Sequence, residues 1–275
     1  MCRLFAFRST VPICDSTLLN GSGNSLATQS RRDAHGESHI DGWGLASYAD
    51  DGVPHITKSL LPAFSDPQFG EVSRTVTTKT LVAHVRQASV GSAALVNTHP
   101  FIYERWVFVH NGTLQDFAAR RKPLFDAIPY DLRTMIRGET DSECVFFFWL
   151  SRLRAAVGSI NQTICVETVI TAFQETVNLV DSWFPAHHGE ESKFNFVATN
   201  GRIMAATRWG KSLSYLERLS GGEMSEKDGH PNAINAFRSV HISSEATDGN
   251  NWREVSDRSM IVVDEQLDVH AASLL

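Results

Sequence analysis

Runs of apolar residues divide the chain into strands that precede and follow a central pair of helices. Residues 2–8 are short, apolar and aromatic, as in a strand buried on both faces. The same patterns predict strands in GWGLASY, GVPHITKS, TKTLVAHV, RWVFVHN, SVHISSE, SMIVVDE and LDVHAASL, and a hairpin turned at Asn200-Gly201 in KFNFVATNGRIMAATRW. Strands on either side of a helix pair predict an α+β protein with antiparallel sheets.

Two segments have the pattern of helices. ETDSECVFFFWLSRLRAAVG begins with the polar capping residues Thr140, Asp141 and Ser142 and stops at Gly158. Its apolar residues surround most of the helix, which predicts burial between layers. NQTICVETVITAFQETVNLVDSW is predicted to be a second, longer amphipathic helix.

A long polar segment, STLLNGSGNSLATQSRRDAHGESHIDGWG, separates the first two strands. It is too long for an ordinary connection, and loops of this length are often lids or binding loops. We therefore predict a lid around residues 21–40, with Gly42 and Gly44 as its hinge.

Composition narrows the classes of protein. The 275 residues are 42% hydrophobic and 20% charged, as in a soluble globular protein, and we expect one domain over 1–275. A net charge of −6 without a basic cluster argues against a nucleic acid as the partner of this protein. The longest apolar run, CVFFFWL, is too short to span a membrane, and no apolar run near the N-terminus is long enough for a signal peptide, so we expect neither. Four cysteines without CxxC spacing suit a reducing compartment, so we expect a cytoplasmic protein without a membrane partner.

Two residues stand out for their chemistry in the first half of the chain. Cys2 follows Met1 directly, so removal of Met1 would leave a thiol and a free α-amine on one residue, a nucleophile with its own base. Arg86 continues an apolar strand on the same face as Val82 and His84. A buried arginine needs either an internal carboxylate or a bound anion, and both alternatives stay open.

Three further positions have both a structural and a chemical reading. Asn111-Gly112 is typical of a hairpin turn, but Leu114 and Phe117 follow at helical spacing, so the pair is also a candidate oxyanion hole. For His99 a structural hydrogen bond is favoured over catalysis. Asp141 suits a helix N-cap, and a carboxylate at a helix start can also receive a ligand ammonium.

Taken together, six motifs resemble those of one family. MCRLFAF, HIDGWGLASY, AHVRQASVG, NTHPF, VHNGTL and ETDSE, in this order over residues 2–143, resemble class II glutamine amidotransferases of the N-terminal-nucleophile hydrolase superfamily. The later hairpin and NNWREVSDRSMIVVDE resemble the stand-alone subgroup that includes γ-glutamyl hydrolases. This resemblance implies a four-layer αββα fold, with two stacked, mainly antiparallel sheets between helical layers, and no cofactor or metal.

The resemblance also implies roles for the reacting groups. Cys2 matches the nucleophile, and the Asn111 side chain and Gly112 backbone match the oxyanion hole. The implied reaction is hydrolysis of a γ-glutamyl amide through a thioester on Cys2, with release of glutamate and ammonia or an amine. A retained Met1 would make the Cys2 nitrogen an amide, so we predict that activity requires its removal.

Four more residues match the substrate site of the family. Arg86 matches the ligand of the glutamyl α-carboxylate and Asp141 the acceptor of the α-ammonium, while Ser89 and His99 are assigned to the same site. The RQASVG motif has Gln and Val where synthase-linked relatives have Trp and His, so contacts within residues 87–90 are expected to differ.

Other functions remain as alternatives. We expect one α+β unit to take up all 275 residues and leave none for a synthase domain, so ammonia could pass to a separate synthase partner instead of being released. A non-catalytic γ-glutamyl-binding regulatory protein, or a metal-dependent hydrolase built on His84, His99 and Asp141, would be a different class; the latter lacks HxH or HExxH spacing. The expected partners are a small γ-glutamyl molecule and either that synthase or a second copy in a homodimer.

Overall fold

Two antiparallel sheets form the centre of the protein. The structure, a computed structural model, describes residues 2–21, 23–220 and 237–275. The strands are β1 (Arg3–Ile13), β2 (Trp43–Tyr48), β3 (Pro54–Ser59), β4 (Thr78–Val85), β5 (Phe101–Tyr103), β6 (Trp106–Asn111), β7 (Asn195–Thr199), β8 (Met204–Arg208), β9 (Ser214–Ser220), β10 (Phe237–Ser243), β11 (Arg253–Glu254), β12 (Ser259–Val263) and β13 (Val269–Ser273). The first sheet has the order β11-β9-β10-β1-β4-β2-β3 and the second the order β13-β12-β8-β7-β6-β5.

Helices cover the outer faces of both sheets. They are α1 (Leu26–Arg31), α2 (Pro67–Thr75), α3 (Phe117–Arg120), α4 (Lys122–Ala127), α5 (Tyr130–Arg133), α6 (Asp141–Val157) and α7 (Val166–Trp183), with a π-helical turn at Thr17–Gly21 and a 3₁₀ turn at Leu95–Asn97. Among the described residues no helix is both long and apolar enough to cross a membrane.

Side chains that alternate along the strands separate the layers. On β1, Leu4 and Ala6 point into the core between the sheets, whereas Phe5 and Phe7 join the core under α1 and α2. On the far side of the second sheet, Trp149 of α6 stacks on Phe173 of α7 with ring centroids 4.7 Å apart. The order helix, sheet, sheet, helix confirms the predicted four-layer αββα fold.

The polar segment after β1 is more structured than its composition indicates. It contains the π-helical turn and α1, whose N-cap Ser25 accepts a hydrogen bond from the Thr28 amide. Gly44 lies inside β2, where a side chain would collide with the His99 carbonyl at 2.1 Å, so the hinge predicted there falls in a paired strand. Ser22, within the predicted lid, and Met1, whose removal we predict, lie outside the described residues.

Strand direction brings the ends of three strands to one edge of the molecule. Because β1 and β4 are antiparallel, with Arg3 opposite Val85, the start of β1 lies beside the end of β4. Cys2 therefore sits next to the segment that begins with Arg86. The end of β6, at Asn111, lies at the same edge in the facing sheet, and Gly112 follows it there.

Candidate active site

The Cys2 thiol lies in a cavity at this shared edge. Its Sγ is 3.4 Å from both the amide nitrogen and the carbonyl oxygen of Gln87. Burial raises the pKa of the Cys2 thiol, while the hydrogen bond from the Gln87 backbone and the charge of Arg86 act in the opposite direction. The cavity, about 240 Å³ in volume, is lined by Cys2, Glu37, Gln87, Ala88, Ser89, Gly112 and Thr113.

Arg86, directly after β4, is almost fully buried with 2% of its surface exposed. Its Nη1 donates to the Ser92 carbonyl at 3.1 Å, and its Nη2 donates to the carbonyls of Val90 at 3.0 Å and Gly91 at 3.2 Å. Among the described residues no carboxylate forms an ion pair with it, and its hydrogen-bond partners are backbone carbonyls. Its positive charge lies close enough to the Cys2 thiol to oppose the rise in the pKa of that thiol that burial causes.

Asn111 and Gly112 end β6 without forming a hairpin, because the chain continues towards α3 as the helical spacing predicted. The buried Asn111 amide donates to the Ser244 hydroxyl at 3.1 Å. A Cβ on Gly112 would lie 2.1 Å from the Lys193 carbonyl and 2.3 Å from the His110 Nε2 atom. Only glycine fits here, and its backbone forms part of the cavity wall.

Asp141 is the first residue of α6, and its carboxylate is held by backbone groups. Its Oδ2 accepts from the Leu114 amide at 2.8 Å, and its Oδ1 accepts from the Ser142 amide at 2.8 Å. Thr140, not Asp141, is the N-cap, because the Thr140 hydroxyl accepts from the Glu143 amide. The predicted capping role of Asp141 is therefore wrong.

Ser89 and His99 occupy different environments. The Ser89 hydroxyl lies on the cavity wall, 2.8 Å from the Thr113 hydroxyl. His99 is buried, and its ring packs at a tilt against His84 with centroids 4.2 Å apart and meets Phe101 edge-on at 4.7 Å. Burial holds the pKa of His99 well below its usual value, so the ring is neutral. His99 is not among the residues that line the cavity.

A buried ion-pair network next to Cys2 is not visible in the sequence. The Arg3 guanidinium donates to the Cys2 carbonyl at 3.0 Å, to Asp33 at 2.5 Å and to Glu245 at 2.8 Å. Asp33 also accepts from the backbone amide of Glu37 at 2.9 Å, and Glu37 lines the cavity. The network thus ties the Cys2 backbone to the long polar segment. The signal available was an arginine at the start of an apolar strand.

The residues of the metal-hydrolase alternative are engaged in other contacts. His84 Nε2 is 3.2 Å from the His110 carbonyl, and burial lowers the pKa of His84 to about 3. Within 2–21, 23–220 and 237–275, no group of three or more His, Cys, Asp and Glu side chains is placed to hold a metal ion.

Comparison with known proteins assigns the family. The family model described as glutamine amidotransferases class-II matches residues 1–265. A probable glutamine amidotransferase of Saccharomyces cerevisiae is 28% identical over 76% of this chain, which spans 64% of the yeast protein's own length. A γ-glutamyl-hercynylcysteine sulfoxide hydrolase of Mycobacterium tuberculosis is 25% identical over 97% of this chain and 94% of that protein. A solved glutamine aminotransferase class-II domain protein from Silicibacter pomeroyi superposes with a TM-score of 0.63 at 21% identity, covering both chains completely. The chain belongs to the class II glutamine amidotransferases.

Proposed function

We propose that this protein hydrolyses a γ-glutamyl amide bond through a γ-glutamyl thioester on Cys2. The family acts on glutamyl amides in general, and the proposal adds the nucleophile and the fate of the product. The observation that carries it is the position of the Cys2 thiol. The thiol lies in a cavity whose wall includes Gly112 and Ser89, and the cavity residue Gln87 directly follows the buried Arg86. A buried thiol with a raised pKa needs a base close by.

The chemistry proceeds in two steps. After removal of Met1, the unprotonated α-amine of Cys2 takes the thiol proton, and the sulfur attacks the γ-carbonyl carbon. The tetrahedral oxyanion accepts hydrogen bonds from the Asn111 side chain and the Gly112 amide. As the carbon–nitrogen bond breaks, the protonated α-amine of Cys2 gives this proton to the leaving nitrogen, which departs as ammonia or an amine. Water then attacks the thioester, which releases glutamate and regenerates the thiol.

Recognition of the glutamyl end is assigned to two opposite charges. Arg86 binds the α-carboxylate, and Asp141 accepts the α-ammonium. These groups act away from the scissile bond, so they position the substrate instead of stabilising the transition state. Ser89 and its hydrogen-bonded neighbour Thr113 line the same cavity as the thiol and the Gly112 backbone, and there they contact the substrate chain.

Release of the leaving group is favoured over its transfer to a synthase. The mycobacterial relative is named as a hydrolase of a γ-glutamyl compound and is aligned with nearly the whole of this chain. Every described strand belongs to one of two sheets that share a core, which supports one amidotransferase domain over residues 1–275. Passage of ammonia to a separate synthase, and γ-glutamyl binding without catalysis, become outcomes of the test.

The test is a substrate panel for protein from which Met1 has been removed, as verified by intact mass. Glutamine, glutathione and several γ-glutamyl amines are each incubated with the protein, and glutamate and the free amine are quantified. We expect release of both products in equal amounts, and a protein mass increased by one γ-glutamyl group after rapid acid quenching. Protein that retains Met1 is expected to be inactive.

Two substitutions serve as the matched pair. Cys2→Ala is expected to abolish turnover, whereas Cys14→Ala removes an exposed thiol that contacts the Ser73 and Arg74 carbonyls and is expected to leave it unchanged. Unchanged turnover in Cys2→Ala, or full activity with Met1 retained, would overturn the proposal. Substrate binding without any turnover would favour the regulatory protein, and glutaminase activity that needs an added synthase would favour ammonia transfer.

A further inference from the structure

A buried histidine lies between the two groups assigned to opposite ends of the substrate. His110, the penultimate residue of β6, is 1% exposed, and its ring packs against Phe196 at 4.7 Å. Both ring nitrogens have partners. Nε2 lies 2.8 Å from the Lys193 carbonyl, and Nδ1 lies 2.9 Å from the Ser142 hydroxyl. The imidazole therefore bridges two separate segments of chain.

The Nε2 side of the ring supports the backbone of Gly112. A carbonyl only accepts, so Nε2 carries the proton and donates to Lys193. A Cβ atom added to Gly112 would lie 2.3 Å from Nε2 and 2.1 Å from the Lys193 oxygen, so the Gly112 backbone packs closely against this hydrogen-bonded pair. Displacement of either partner would leave the Gly112 amide without support on that side.

The Nδ1 side of the ring leads to Asp141. Burial lowers the pKa of His110, although the charge of Asp141 opposes the shift, so the ring is neutral and Nδ1 accepts the Ser142 hydroxyl proton. The Ser142 Oγ atom also lies 3.2 Å from the Asp141 Oδ1 atom, but its one proton goes to Nδ1, so the group of Ser142 that donates to the carboxylate is the backbone amide, at 2.8 Å. The ring thus fixes the Ser142 side chain at the start of α6, and the Ser142 amide holds the carboxylate.

We propose that His110 is a positioning residue that aligns the oxyanion donor with the ammonium acceptor, through Lys193 on one side and Ser142 on the other. The inference rests on the proposed function, because it takes the roles of Gly112 and Asp141 from it. His110 touches neither the substrate nor the reacting atoms. Because the ring is rigid and buried, it fixes the distance between the Gly112 amide and the Asp141 carboxylate.

The two hydrogen bonds can be removed one at a time. The amide nitrogen of glutamine reaches the place of Nε2, and the amide of asparagine reaches the place of Nδ1. His110→Gln keeps the bond to Lys193 and loses Ser142, so KM is expected to rise roughly tenfold with kcat little changed. His110→Asn keeps Ser142 and loses Lys193, so kcat is expected to fall about tenfold to a hundredfold, part of the loss of a whole oxyanion donor, with KM little changed.

Ser142→Ala is the second, milder test, since it removes the hydroxyl and leaves the Asp141 backbone hydrogen bonds in place. Its KM should rise while kcat stays within about twofold of wild type. Ser151→Ala is the control, because the buried Ser151 hydroxyl on the same helix bonds only within that helix, to the Phe148 carbonyl. Thermal unfolding of each variant is measured alongside.

The outcomes separate this inference from the proposed function. A change mainly in KM for His110→Gln and mainly in kcat for His110→Asn supports it. Should neither variant fold, the KM of Ser142→Ala decides alone. Equal changes in both constants for both variants, or a wild-type KM in Ser142→Ala, would overturn the inference while the proposed function stands. A wild-type protein that hydrolyses no γ-glutamyl compound would overturn both.

Discussion

The two sheets contribute different halves of the candidate site and hold them in different ways. The first sheet supplies Cys2 and Arg86, and the partners of the Arg86 guanidinium are carbonyls of the half-exposed to exposed segment 90–92. The second sheet supplies Asn111, which is buried, and Gly112, where an added methyl group would collide with the Lys193 carbonyl. One half is tied to a surface loop, and the other is part of the core.

This difference suggests a division of labour. An oxyanion hole works only if its donors are already in place when charge develops, which favours core positions with no freedom to relax. Recognition of the glutamyl carboxylate tolerates small movements, and a loop that closes on the substrate can supply it. Substitutions in the second sheet should therefore lower kcat, while those around Arg86 should raise KM.

The largest effect is expected at the rigid half, for Gly112→Ala. The new methyl group collides with the Lys193 carbonyl and the His110 ring, so the Gly112 amide must move away from the position that the proposed oxyanion hole requires. We expect kcat to fall by about 10²–10³, the cost of one oxyanion donor. Overpacking should also lower the free energy of unfolding by roughly 1–3 kcal/mol. Steady-state kinetics and denaturant unfolding measure the two effects.

Gly249→Ala is the control for this substitution, because its added Cβ meets nothing within 4 Å. It should leave kcat and stability at wild-type values. If Gly112→Ala instead raised KM and spared kcat, the second sheet would carry recognition and the comparison between the two halves would be reversed.

A smaller effect, of a different kind, is expected for Arg86→Lys. A lysine ammonium cannot reach all three carbonyls that the guanidinium bonds, and it lacks the planar fork that suits a carboxylate. A lost hydrogen bond to the charged carboxylate of the substrate costs about 1.5–3 kcal/mol, so KM should rise roughly 10- to 100-fold with a smaller change in kcat. Arg120→Lys, in an exposed pair with Asp116, is the control and should change neither constant.

The placement of the candidate site residues at one edge of the sheets could largely be predicted from the sequence, because the relevant signals are local. Cys2 at the start of a strand, Arg86 at the end of another and Asn111-Gly112 without a return strand were all predicted, and antiparallel pairing then brings them to one edge. The two long helices were predicted from their apolar faces. Helix α2 was missed although Asp66 caps it and Pro67 begins it, because Gly70 interrupts a short pattern.

The partners of these residues were not accessible, since they come from distant segments or from the backbone. Arg3 bonds to Asp33 in the polar segment and to Glu245 near the other end of the chain, and no spacing rule joins such positions. Arg86 is held by carbonyls, which every residue carries, so no side chain marks them. The same holds for His110, whose partner Lys193 contributes its carbonyl.

The smallest predicted effect tests whether the first-sheet half is also an electrostatic unit. Burial raises the pKa of the Cys2 thiol, so its reaction with iodoacetamide should rise with pH to a midpoint above the value of about 8.5 for a free cysteine. The charge of Arg86 opposes that shift, so Arg86→Met should move the midpoint higher still, whereas the second-sheet substitution Asn111→Ala should leave it in place. Exposed Cys14 and Cys165 are first replaced by serine, and buried Cys144, whose pKa is raised to about 12, does not interfere. An equal shift in both variants would mean that the thiol responds to the cavity as a whole, and the two halves would then differ in rigidity but not in charge.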